Sequence, residues 1–511
     1  MTISADQTAV FDFLGNPATY NPISPVRRID THGASVFLAG GGAYKVKRAV
    51  RFPYMDFSTI QKRKTACENE MVVNRDNAPE LYLGVVPITR DSTGLHIAGK
   101  GEIVEWAVHM RRFDEDMTLD KLAEKRKIDS ALIDQLAQVI SAAHQRAPQR
   151  RGAPAADSIR DVILETLDEL EQTHDATAAK IADLRDSMLQ TYHANEALLV
   201  RRGLNGKVRR CHGDMHLGNI VLHAGKPILF DAIEFNDELA TIDILYDLAF
   251  LIMDLSKRGF RDHACRLLNR YLWLSEDEAG EIEGLALFPL FLALRATIRA
   301  KVLAAQKTQG AEPHSDQIRS YVQAARAFIK PSQPRLIAIG GLSGTGKTKL
   351  AETLAHKFGA WPGALHLRSD IERKKAFGVA ATSRLPVEAY NSDVSAKVYC
   401  RLEALAEAGL KSGHSIILDT TFRDPKERSA LQELATRAGV PFSGVWLEAP
   451  FAIRMSRVQG RTGDASDATP QVARSQDTEN IGLIDWQKVD AGQATEAVCN
   501  AVLALLRLQE G

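Results

Sequence analysis

The chain has 511 residues, enough for two or more domains with sizeable cores. Hydrophobic residues make up 45% and charged residues 25%, an ordinary globular balance, and Lys plus Arg equals Asp plus Glu at 64 each. A net charge of zero argues against a nucleic-acid coat or an anionic-membrane binder, which would be basic overall.

The N-terminus carries Asp6 and Asp12 where a secretory signal would need a basic segment and an apolar one. The longest apolar runs, such as Leu285 to Leu294, are too short to cross a bilayer. The five cysteines, Cys67, Cys211, Cys265, Cys400 and Cys499, are odd in number and form no C-x-x-C pair. Reduced thiols and a cytoplasmic location are therefore expected.

In chain order, Val26 to Arg48 reads as three short strands, turning at His32-Gly33-Ala34-Ser35 and at Gly40-Gly41-Gly42. A helix carrying Glu68 and Glu70 follows, then strands over Leu81–Ile88 and Ile103–Arg111. Helices dominate from Asp129, interrupted by a Pro/Ala/Gly loop from Arg150 to Asp157. Ile159, Val162, Ile163, Leu167 and Leu170 share one helical face, which reads as a packed lobe in preference to an acceptor-binding wall.

The run from His212 to Asn219 has the pattern H-G-D-x-H-x-x-N. Asp214 and Asn219 are five apart, the Asp-to-Asn spacing of a protein-kinase catalytic loop. Asp214 can orient or deprotonate an acceptor hydroxyl, and Asn219 can offer magnesium its side-chain oxygen. The strand Pro227 to Phe230 ends in Asp231, the natural second metal ligand. His212 and His216 lack a third metal-ligating partner, so they read as braces of the loop, as does Asp247. A G-x-G-x-x-G loop is missing, and His32 to Ser35 is the candidate phosphate cover. The phosphate-pairing lysine is Lys45 or Lys47, which share a strand face, and its partner is Glu70 or Glu68. A surface ion pair is the competing reading of these residues.

Lys330-Pro331-Ser332-Gln333-Pro334 separates this region from a new apolar strand. The expected organisation is a first domain over 1–329, a linker over 330–334 and a second domain over 335–511. The second part alternates helices with strands over Leu336–Ile339, Ala364–Leu367, Ser415–Leu418 and Gly444–Leu447, which predicts a parallel sheet.

Between the first of those strands and a helix from Lys347 to His356 lies Gly341-Leu-Ser343-Gly344-Thr345-Gly346-Lys347-Thr348, a complete G-x-x-x-x-G-K-[ST]. Its glycines let backbone N–H groups turn around phosphate oxygens, and the helix N-terminus adds positive potential. Lys347 can bridge the transferring phosphates and Thr348 can ligate magnesium. Asp419 ends an apolar strand, the place for a magnesium-shell carboxylate. Thr420 and Thr421 follow it where motor ATPases commonly carry a glutamate, which favours transfer over hydrolysis. Asp370, just past a strand, can take a proton from an attacking hydroxyl, and Arg373 lies one turn on. Arg457 and Arg461 are four apart on one helical face and can close over a triphosphate. Nearby Arg454 adds to this basic face, whereas Asp464 and Asp467 read as loop residues before Thr469-Pro470.

On its His-Gly-Asp loop and Asp231, the first part, about residues 20 to 320, resembles the aminoglycoside phosphotransferase-like kinases. That resemblance favours Lys45, in Ala-Tyr-Lys, as the phosphate-pairing lysine. On its P-loop, Asp370/Arg373 and Arg457/Arg461, the second part, about 335 to 505, resembles the group of gluconate kinases, zeta-toxin-like kinases and polynucleotide 5′-kinases. It implies Asp370 as base and the arginines as lid. The whole resembles bacterial proteins that fuse two such halves. The implied folds are an α+β protein-kinase-like domain and an α/β P-loop domain with a parallel sheet. The implied function is bifunctional transfer of phosphoryl groups from ATP, with magnesium, to hydroxyls of small, sugar-like molecules. Two other readings compete: a nucleotide-sensing protein with one inactive half, and a 5′-hydroxyl nucleic-acid kinase in the second half, which the neutral charge disfavours.

Overall fold

The computed structural model of the chain describes residues 2–3, 5–52, 54–152, 155–173, 178–307, 315–460 and 465–508. They divide into two compact units, Met1–Ala156 with Val200–Asp254, and Asp157–Leu199 with Leu255–Gly511.

The first unit is built on a six-stranded antiparallel sheet of β1 (Val26–Asp30), β2 (Ala34–Ala39), β3 (Gly42–Lys47), β4 (Tyr82–Asp91), β5 (Gly94–Ile97) and β6 (Glu102–Arg111). The spatial order is β1-β2-β3-β6-β4-β5. The expected turns join β1 to β2 and β2 to β3, and at the second Gly40 takes a left-handed φ of 53°. Helix α1 (Ile60–Asn74) is capped by Thr59, whose side chain accepts the Lys62 N–H. It packs Cys67 into a core with Leu38, Leu81, Tyr82, Val108 and Met110. The same buried face carries Glu70. Strands β7 (Ile220–His223) and β8 (Lys226–Leu229) form an antiparallel hairpin pairing Ile220 with Leu229. The pairing continues outward, with the Phe230 N–H donated to the Asn219 carbonyl at 3.0 Å. Residues distant in the catalytic-loop pattern thus meet at one end of a hairpin.

The second unit holds a parallel five-stranded sheet of β9 (Leu336–Gly340), β10 (Leu365–Arg368), β11 (Ile416–Asp419), β12 (Phe442–Glu448) and β13 (Gln487–Asp490), in the order β10-β11-β9-β12-β13. Its core joins Ile337, Ile339, Ile417, Val445 and Leu447 to Leu350 and Leu354 of the helix behind the P-loop. Sequence periodicity missed β13 because only Val489 of that short edge strand is buried. Helices before the 330–334 junction also belong to this unit: α2 (Arg261–Leu274), Phe288–Lys307 and Ser315–Ile329.

The five cysteines are free thiols, buried except Cys400. Among the described residues no helix is long and apolar enough to cross a membrane.

Candidate active sites

In the first unit the loop after the short strand Val208–Arg210 is held by buried partners. Asp247 accepts the His212 N–H at 3.2 Å and the Gly213 N–H at 2.9 Å, and also contacts His144 Nε2 at 3.2 Å. It therefore braces the loop as its pattern implied. The His212 Nε2–H donates to the Phe230 carbonyl (2.9 Å), and its Nδ1 accepts the Asp214 N–H (3.3 Å). That bonding defines one neutral tautomer, and burial lowers the imidazole's pKa to match. His216 Nδ1 accepts the Gly218 N–H at 3.0 Å while Nε2 lies 3.5 Å from Asp214. Both histidines brace the loop.

Asn219 Nδ2 donates to the Asp214 carboxylate and to its backbone carbonyl, each at 3.0 Å. Asp231 follows β8 with a left-handed φ of 61°, and its N–H is donated to the Tyr82 hydroxyl at 3.1 Å. This unusual backbone turns its carboxylate toward β3, where Lys45 Nζ lies 2.5 Å away. Burial raises the Asp231 pKa, but Lys45 outweighs it and holds the carboxyl below its ordinary value.

Lys45 also donates to Glu70 at 2.8 Å, and Lys47 donates to the other Glu70 oxygen at 2.5 Å. Lys47 pairs further with Glu234. Glu70 is fully buried, whereas Glu68 is 53% exposed beside Lys64. Glu70 is thus the glutamate that faces the lysines, because α1 turns it onto the sheet. Glu234 has no signal in the sequence, since no pattern links it to Lys47 across the intervening chain. Asn219 and Asp231 are hard oxygen donors at adjoining chain ends, with the Asn219 nitrogen already engaged, so its oxygen is the atom available to magnesium.

In the second unit the P-loop wraps between β9 and α3 (Lys347–Ala355). Gly341, Gly344 and Gly346 take φ values of 140°, 87° and 94°, and a Cβ on Gly344 would lie 2.5 Å from the Arg454 carbonyl. Lys347 Nζ folds over the loop to the Gly341 carbonyl at 2.8 Å. Thr348 Oγ1 donates to Asp419 at 2.6 Å, a hydroxyl and carboxylate in contact as a shared magnesium shell requires. Burial raises the Asp419 pKa, but the His366 hydrogen bond and Arg368 charge more than offset this and lower it. His366 Nε2 lies 3.3 Å and Arg368 Nε 3.6 Å from the same Asp419 oxygen. Neither was singled out in the sequence, although both sit on the strand leading to Asp370.

A cavity of about 1060 Å³ opens over the P-loop and is lined by Lys347, Thr348, Asp370, Arg373, Asp419 and Arg457. Asp370 lies in the first turn of α4 (Ser369–Ala376) with its side chain 30% exposed, 3.8 Å from Arg368 Nη2. The Arg373 guanidinium donates to the Ala389 carbonyl at 2.7 Å and lies over the Tyr390 ring. Arg457, on α5 (Phe451–Gln459), donates to the Ala491 carbonyl at 2.9 Å and the Thr345 carbonyl at 3.3 Å. Arg454 pairs with Asp477. Arg461 and Asp464 lie outside the described residues. Asp467 ties the cavity rim together, accepting from Lys374 at 2.5 Å, the Leu385 N–H at 3.0 Å and the Tyr390 hydroxyl at 2.6 Å. A sequence pattern shows such a residue only as a loop aspartate. Gln476 accepts the Ser343 N–H at 2.8 Å, occupying one donor of the cradle.

The profile of the "Phosphotransferase enzyme family" matches residues 98–281, and that of an "AAA domain" matches 336–478. Lys45 and Glu70 precede the first match. Uncharacterized proteins of Mycobacterium tuberculosis and Mycobacterium bovis are 30% identical to the chain over 467 residues, covering 90% of it and 90% of each relative. Among solved structures, a gluconokinase from Sinorhizobium meliloti is 21% identical, covering 35% of this chain and 95% of its own, with a TM-score of 0.25. A choline/ethanolamine kinase family protein from Mesorhizobium loti is 14% identical over 63% of this chain and 95% of its own, with a TM-score of 0.39. An amicoumacin kinase in complex with AMP-PNP is 14% identical over 64% of this chain and 94% of its own, with a TM-score of 0.41.

Proposed function

We propose that this chain, which belongs to the same family as the mycobacterial proteins and is an ATP-dependent phosphotransferase joining an aminoglycoside-phosphotransferase-like domain to a P-loop kinase domain, is bifunctional. Each domain passes a phosphoryl group to a hydroxyl of a small, sugar-like acceptor. The observation that supports this is that each unit gathers its own base candidate, oxygen donors and lysine. The first unit has Asp214, Asn219, Asp231 and Lys45. The second has Asp370, Thr348, Asp419 and Lys347 around one cavity. The domains run over 1–329 and 335–511, and a cytoplasmic location supplies both with ATP.

In the first site Asp214 takes the acceptor's hydroxyl proton, its carboxylate held in place by Asn219 and His216. Lys45, anchored by Glu70, holds phosphate oxygens. In the second site Asp370 takes the proton. The P-loop amides and Lys347 bind the phosphates, and Arg457 with Arg461 closes over them. Asn219 and Asp231 in one site, and Thr348 and Asp419 in the other, would hold magnesium, which would supply neutralisation of charge on the triphosphate.

The test is labelled ATP with a small-molecule cell extract, comparing intact protein with Asp214→Ala and Asp370→Ala. Each substitution is expected to remove a different labelled product, and the double substitution both. Nucleotide binding without any product would establish the sensing reading instead, and label on nucleic-acid 5′ ends the nucleic-acid kinase.

A further inference from the structure

Strand β10 is an edge of the parallel sheet, and among the described residues its outer backbone groups have no neighbouring strand. An uncovered edge leaves N–H and C=O groups unpaired. Here helix α2 supplies the partners. Asn269 Oδ1 accepts the His366 N–H at 2.6 Å, and its Nδ2 donates to the Ala364 carbonyl at 3.1 Å. One helical turn later, Trp273 Nε1 donates to the His366 carbonyl at 3.0 Å. Two side chains at i and i+4 thus read alternate residues of the strand, replacing a missing ladder.

The residue they hold, His366, contacts Asp419 through its ring. The His366 backbone is fixed on both sides by Asn269 and Trp273, and its ring meets the Trp273 ring edge-on with centroids 5.7 Å apart. Arg368, whose guanidinium also lies beside Asp419, is 5.8 Å from the centre of the Trp273 ring. His366 and Arg368 are both buried, so neither can exchange these partners for water without moving the strand. Flanking bonds add to the grip: Arg270 and Arg266 pair with Glu352 on α3 at 2.7 and 3.2 Å. Arg261 donates to the Pro362 carbonyl at 2.9 Å. Yet α2 precedes the 330–334 junction and lies within the span matched by the phosphotransferase profile.

We propose that Asn269 and Trp273 are positioning residues of the P-loop site, setting His366 and Arg368 against Asp419, so that metal binding at the second site depends on a helix encoded with the first domain. This rests on the reading of Asp419 as a magnesium-shell carboxylate. Groups behind a metal ligand orient its oxygens, and their loss weakens metal binding while leaving the nucleotide cradle intact.

The experiment uses the full chain carrying Asp231→Ala, which removes the anionic one of the first site's two metal ligands. Manganese binding in the presence of AMP-PNP is followed by electron paramagnetic resonance. AMP-PNP binding without metal is followed by calorimetry. Trp273→Phe keeps an aromatic ring at the site but loses the indole N–H with its five-membered ring, and Asn269→Leu keeps the branched shape and loses the hydrogen bonds to the strand. Each is expected to weaken manganese binding about tenfold with metal-free AMP-PNP binding unchanged. Manganese affinity equal to that of the parent in Trp273→Phe would overturn the proposal, even if Asn269→Leu does not fold. Lys347→Ala serves as the reference, expected to lose AMP-PNP binding at the second site. If it does not, the P-loop reading fails first and the proposal falls with it.

Discussion

Replacing Glu70 by alanine should damage the first unit far more than the same change at Glu68, although the two residues stand two apart on one helix. The Glu70 carboxylate is fully buried and bonds Lys45 at 2.8 Å and Lys47 at 2.5 Å. Lys47 is itself only 2% exposed, so it cannot turn to water when that partner goes. Removing one member of a buried ion pair typically costs about 3–5 kcal/mol, because the charge left behind remains desolvated. Glu234 and Asp231 still face the lysines, which places the expected loss toward the lower end. Glu68 is 53% exposed and 3.6 Å from Lys64, a geometry worth about 0.2–0.5 kcal/mol. For a unit of about 200 residues each kcal/mol moves Tm by about 2–4 °C. Glu70→Ala should therefore lower the first unit's Tm by about 6–12 °C or more, and Glu68→Ala by about 2 °C or less. A chain of two units need not unfold in one step. Hydrogen exchange over Gly42–Lys47 should accordingly accompany thermal circular dichroism, so that loss is assigned to the strand carrying the lysines. Equal effects of the two substitutions, or unchanged exchange in Glu70→Ala, would refute the reasoning.

Asp214→Asn should retain MgATP binding and lose at least about a hundredfold in first-site turnover, whereas Asp231→Ala should abolish magnesium-dependent transfer there; calorimetry and labelled-ATP assays on the full chain separate the two. Lys347→Ala should lose several kcal/mol, roughly 3, of transition-state stabilisation at the second site, read as a fall in kcat/KM near a hundredfold with the first-site product unaffected. Burial raises the Glu427 carboxyl from 4.5 to about 7, with Asp424 adding to the shift and Tyr399 opposing it. A raised acid is protonated in the folded state where the unfolded chain is already charged, so stability falls as pH rises from 4.5 to about 7. Glu427→Gln should remove that part of the slope, and Tm profiles of the two proteins that stay parallel from pH 4.5 to 8 would contradict it. Chelation of divalent ions should stop both transfers, and restored magnesium should return both products.

The chemistry written in contiguous residues was legible from the chain alone. The P-loop needs glycines at fixed steps between an apolar strand and a helix, and its left-handed turns at Gly344 and Gly346 follow from that local order. Asp214 and Asn219 share one loop, and the β7–β8 hairpin that brings in Asp231 spans only a few residues. The main sheets could be read too, because their strands are apolar and bounded by turns, except two short edge strands, β5, which has no buried residue, and β13, whose exposed positions carry no periodic signal. What sequence spacing could not decide were contacts between faces distant along the chain. Glu68 and Glu70 differ only in which way α1 is turned against the sheet. Lys47 meets Glu234, and Asn269 meets His366, only because separate elements pack together. The Pro-rich stretch at 330–334 marks a change of pattern along the chain, but α2 shares a compact unit with the P-loop sheet. Local backbone preference writes a motif into adjacent residues, whereas desolvation and hydrogen-bond satisfaction act only once surfaces meet, so the partners that hold a candidate-site carboxylate in place are decided by the tertiary structure.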